Sequence, residues 1–213
     1  MARMGLAITV GNPCFGGPDV AGEEYFRREF EQVGEALLAE GVDWPLPETP
    51  RPSGTRSCAI GFPYGYLHHL RRAYALDQAG QPVSPVASPE ELVRADGCVA
   101  DATAMLDSHL LCHSDAAGYY VPVPLADPVF LPDGVKVAGD GMVGASQGLL
   151  AELVGIAPPI GVRLESDGTL TDAEAARLFT NADDPFEVEQ VVWLTLHESC
   201  LLSIDSGHPI VFH

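Results

Sequence analysis

The sequence predicts an α+β fold: a mixed, largely antiparallel sheet with hairpins, helices packed against it, in a single domain spanning residues 1–213. Three observations carry this expectation. Several stretches repeat apolar residues at helical spacing, and others are short runs rich in β-formers bounded by turn residues. Tight-turn sequences between such runs read as hairpins. Helices and strands do not alternate strictly, which argues against a doubly wound sheet. No clean linker divides the chain, and one core of this size can bury roughly 70% of the unfolded surface without a staple.

Met4 to Val10 reads as a strand, followed by a glycine-rich turn from Gly11 to Pro18. Asp19 to Gly41 reads as a helix. Phe26, Phe30, Val33 and Leu37 form its apolar stripe, Glu23 and Glu24 suit its first turn, and Gly41 stops it. Residues 42–54 carry four prolines and read as an extended surface loop pinned by Trp44. Pro63 to Gly80 is the second helix, with Leu67, Leu70 and Tyr74 inward. A second proline loop, 81–89, leads to a capping box of Ser88 and Glu91 and a short helix ending near Asp96-Gly97.

Ser108 to Val123 is expected to form a hairpin of an apolar strand, a small-residue turn and an aromatic strand. Val129–Leu131 and Val135–Ala138, flanking Pro132-Asp133-Gly134, read as another hairpin. Ser146 to Ile156 is a helix that Pro158-Pro159 ends, and Ile160 to Leu164 reads as a strand. Thr171 and Glu174 form a capping box that opens a helix to about Phe179. Phe186 to Ser206 is apolar on much of its circumference and is expected to be deeply buried; His208 to Phe212 is a last strand.

Charge is the dominant compositional feature. Thirty acids face eleven bases, a formal net charge of −19. Direct binding to nucleic acid is disfavoured because phosphate neutralisation needs Lys and Arg, and an anionic membrane surface is disfavoured for the same reason. An acidic face suits a basic protein partner; solubility and genome composition are the plainer account of the same charge. Five cysteines without a C-x-x-C pair suit reduced thiols in a cytoplasm. The apolar run near the N-terminus is too short for a signal peptide.

Candidate chemistry centres on the 108–123 segment. His109 and His113 have helical metal-pair spacing, but on a strand they stand roughly 13 Å apart. His113 and Asp115, two apart on an extended chain, are candidate metal ligands or a proton-transfer pair. The plainer alternative has Asp115 starting a turn and His113 bonding a local carbonyl. Tyr119 and Tyr120 point to opposite sheet faces, so one of them is a candidate to orient a substrate. His68, Arg71 and Arg72 are the only basic cluster, read either as salt-bridge partners or as an anion clamp. His197 is a weaker metal candidate beside Cys200. No G-x-S-x-G elbow, Walker loop or dinucleotide fingerprint is present.

The leading expectation is therefore a cytoplasmic acidic binding protein, immunity-like or an inhibitor of a basic protein. The alternative is a small metal-dependent or acid-base enzyme with its site at the 108–123 hairpin. The expected cofactor is none, with a divalent transition metal as the alternative. Self-association, as a subunit of a larger assembly, is a third expectation.

Overall fold

The computed structural model describes residues 5–47, 61–132 and 134–213. The elements in chain order are β1 (Leu6–Val10), α1 (Val20–Ala39), β2 (Gly61–Phe62), α2 (Tyr64–Gln78), α3 (Pro89–Thr103) and α4 (His109–Cys112). They continue with β3 (Gly118–Val121), β4 (Val129–Phe130), β5 (Met142–Ala145), α5 (Ser146–Ile156), α6 (Asp172–Thr180), α7 (Glu187–Ser206) and β6 (Ile210–Phe212). The strands form one mixed sheet in the order β2–β1–β6–β3–β5–β4. Among the described residues β3 and β5 run parallel and the other pairings are antiparallel. The α+β expectation holds.

The C-terminal strand lies at the centre of this sheet. Ile210, Val211 and Phe212 are all buried, with β1 on one side and β3 on the other. Strand alternation sends their side chains to two different cores. Val211 joins Tyr119, Val121 and Val143 against Phe30, Val33, Leu37 and Trp44, so α1 covers one face. Ile210 and Phe212 join Ile8 and Tyr120 against Leu67, Leu70, Leu149, Leu153 and Trp193, so α2, α5 and α7 cover the other. The indole N–H of Trp193 donates to the Leu153 carbonyl at 2.7 Å and ties α7 to α5.

The helix starts follow local chemistry. The Asp19 carboxylate accepts from the Gly22 N–H at 2.9 Å and starts α1. The Thr171 hydroxyl accepts from the Glu174 N–H at 3.2 Å and starts α6. Trp44 packs edge-on against Phe30, as its pinning role requires; residues 48–54 of the proline loop lie outside the described residues. Among the described residues no helix is long and apolar enough to cross a membrane.

Four local expectations are corrected. The 108–123 hairpin does not form: Leu110 to Cys112 lie in the one-turn helix α4, and β3 pairs with β5 and β6 instead. Val135–Ala138 is not a strand. Gly139, Asp140 and Gly141 all have positive φ, so the chain turns there and β4 meets its partner only at Met142. The Ala138 N–H is spent on the Glu29 carboxylate at 2.9 Å. Ile160–Leu164 is not a strand either. Pro158–Ile160 form a 3-10 turn, and side chains of Gln190 and Arg177 take the carbonyls of Ile160 and Gly161 at 2.9 and 2.8 Å. Finally, α3 runs past Gly97 to Thr103, and Glu91 accepts from the Ala87 N–H at 2.8 Å rather than closing a box with Ser88.

Candidate functional site: an acidic partner surface

The residues of the 108–123 segment are drawn into the core. His113 is 2% exposed. Its ring stacks on Tyr120 with centroids 4.1 Å apart and meets the edge of Phe212 at 4.6 Å. Nδ1 lies 2.8 Å from the Ser114 carbonyl. Burial pushes its pKa down to about 3, so the ring is neutral. Gly118, at φ 130°, must be glycine: a Cβ there would stand 3.0 Å from the imidazole.

Asp115 does not join His113. Its carboxylate pairs with His68 on α2 at 3.2 Å, and both side chains are largely exposed. Tyr119 and Tyr120 do face opposite cores, and both hydroxyls are engaged. Tyr119 donates to the Glu29 carboxylate and Tyr120 to the His109 carbonyl, each at 3.0 Å. His197 stacks on Trp193 at 4.5 Å, beside Glu198. Among the described residues no three His, Cys, Asp or Glu side chains are grouped to hold a metal ion.

The basic cluster is also turned inward. Arg71 is buried; its guanidinium donates to the carbonyls of Leu110, at 3.0 Å, and His113. It therefore holds the C-terminal end of α4 rather than an external anion. Arg72 donates to the Ser84 carbonyl at 2.7 Å and fixes the second proline loop. His68 stays on the surface.

Among the described residues, buried Glu29 and partly buried Glu152 are carboxylates not singled out in the sequence. Glu29 falls on the apolar stripe of α1, between Phe26 and Phe30, and that placement was the available signal. Glu152 interrupts the apolar α5 and accepts from the N–H groups of His109 and Leu110 at 2.8 and 2.7 Å. Burial raises its pKa from 4.5 to about 7 despite those bonds. A raised carboxyl pKa favours the protonated form in the folded state. Stability from this group is thus complete below pH 4.5 and is lost as pH rises through about 7. Urea midpoints of the wild type should fall between pH 5 and 7 relative to Glu152→Gln, and parallel profiles would refute the assignment.

Much of what the described residues leave outside is acid, beside the exposed Lys136 and Arg163. Arg27 and Arg28 are held by Glu24 at 2.7 and 2.9 Å, and Arg177 by Glu174 at 2.6 Å. Arg27 first, then Arg28, keeps the Glu24 carboxyl below its usual range. Beyond these pairs, Glu35, Glu40 and Asp43 are exposed along and after α1, and Asp101 and Asp107 around the end of α3. Glu165, Asp167, Asp183 and Glu187 are exposed around α6 and the start of α7. Of the six arginines whose side chains are described, Arg71 and Arg72 are turned inward and Arg27, Arg28 and Arg177 pair with glutamates, while Arg163 is exposed.

Neither a curated protein nor a solved structure matches the chain. A family model does match, over residues 4–212, and its description is "Putative DNA-mimic protein". The match takes in almost the whole chain and suits an acidic protein of the binding class, so this protein belongs to that DNA-mimic family.

Proposed function

We propose that the protein acts by offering its carboxylate surface to the DNA-binding face of a basic protein, as an inhibitor or immunity-like factor in the cytoplasm. The observation that carries this reading is the fate of the arginines. Arg71 and Arg72 are buried on backbone carbonyls, and Arg27, Arg28 and Arg177 are held by glutamates. Five of the six arginines with described side chains are thus already engaged, in a chain whose formal net charge is −19. Lys and Arg on a DNA-binding face are arranged for phosphate, and exposed carboxylates supply the same sign of charge. Such a partner also gains by long-range steering. The free thiols of Cys14, Cys98, Cys112 and Cys200 suit a reducing compartment.

The test is capture from a lysate of the source organism on immobilised protein, with separate elution by duplex DNA and by an uncharged polysaccharide. DNA-binding proteins released by the duplex alone are the expected result. Partners that duplex DNA fails to displace would overturn the reading.

A further inference from the structure

A cleft of about 680 Å³ opens between α2 and the end of α3. Its lining includes Tyr74, Gln78, Asp101, Met105, Asp107 and Leu111. Both flanking helices point their C-terminal ends at it: Gln78 and Ala79 finish α2, and Ala102 lies in the last turn of α3. A helix C-terminus carries about half a negative charge, which a cation in the last turn normally offsets. Neither helix has a basic residue in its last turn. Two exposed aspartates add to the same field, and among the described residues no basic side chain lines the cleft.

The walls are not only acidic. Tyr74 presents an aromatic ring, and Met105, 70% exposed, and Leu111 supply apolar surface. The Tyr74 hydroxyl has its pKa pushed up to about 12, by burial first and then by the charges of Glu152, Asp107 and Asp77, in keeping with a negative local field. A site with negative helix ends, two carboxylates, an aromatic ring and a thioether suits a group that is cationic at its tip, planar, and aliphatic along its stem. That group is an arginine side chain, whose guanidinium forks onto carboxylates and carbonyls and stacks on aromatic rings.

We propose that this cleft receives an arginine side chain of the basic partner and is the anchoring point of the interface. The inference rests on the partner-binding reading above and narrows it to one pocket and one residue type. DNA-binding faces carry such arginines for phosphate and guanine contacts, so the occupant is available on the proposed class of partner. Anchors of this kind, seated in a pocket, dominate binding while the surrounding charges steer.

The probe is acetyl-arginine methylamide, titrated into protein labelled in its methionine methyl groups. Met105 in the cleft wall reports occupancy, and buried Met142 is the internal control. The expected result is a saturable shift of Met105 alone, with affinity reduced at least about tenfold in Asp101→Asn/Asp107→Asn and unaltered in Asp140→Asn/Asp205→Asn, which removes equal charge elsewhere. No saturation, or equal weakening in both pairs, would mean a diffuse field only and would overturn the cleft assignment. In that case, DNA-displaceable capture from the lysate would still stand. Conversely, a cleft that fills with arginine in a protein with no DNA-displaceable partner would sink the partner reading and leave the cleft intact.

Discussion

Replacing His113 by alanine is expected to lower the folding free energy by about 3 kcal/mol, the scale of losing a buried aromatic ring. The ring fills the space between Tyr120, Phe212 and Gly118. An enzyme built on this histidine would lose activity while keeping its stability; replacing a core histidine lowers stability while any partner binding under strongly folding conditions survives. The measurement is the urea midpoint of both proteins, with far-UV circular dichroism to follow the helices. An unchanged midpoint would return His113 to the candidates for chemistry. The pH profile adds a second signature. His113 stays neutral when folded and titrates near 6.5 when unfolded. Its depressed pKa therefore gives stability that is complete above about 6.5 and lost as pH falls toward about 3. The wild type should lose stability across that window more steeply than His113→Ala.

Raising the salt from 50 to 200 mM is expected to weaken binding to the basic partner by about tenfold or more. At these concentrations the Debye length shrinks from about 14 to about 7 Å, so carboxylates spread over α1, α3, α6 and α7 stop acting together. Most of the loss should appear in the association rate, because dispersed surface charge steers encounter more than it holds the complex. Stopped-flow association at four salt concentrations measures it. Tight binding indifferent to salt would mean that apolar contacts carry the interface and that the net charge serves solubility alone.

How much was legible in the sequence depends on whether a segment's partners are local. The bounds of α1, α5, α6 and α7 follow from caps, apolar stripes and stop residues within a few positions, and each appears where its sequence places it. The opposed faces of Tyr119 and Tyr120 follow from strand alternation alone. The candidate site was less legible. A four-residue apolar run fits a strand and a helical turn equally well. Leu110 to Cys112 became helical because Glu152 takes the N–H groups at one end and Arg71 the carbonyls at the other, each about 40 residues away. The same contact turns Arg71 inward onto two carbonyls, so the structure does not present the His68, Arg71 and Arg72 group as one exposed cluster. His113 and Asp115 parted for a related reason: one ring fitted the core beside Gly118, while the other side chain met His68 at the surface.

The sequence by itself determined that this is an acidic α+β protein with several long helices, because composition and local periodicity do not depend on distant contacts. Among the described residues, tertiary structure alone decided which arginines turn inward. Burial of a guanidinium is tolerated only where carbonyls from another element meet it. That pairing, set by how α2 packs against α4 and the second proline loop, takes Arg71 and Arg72 off the surface.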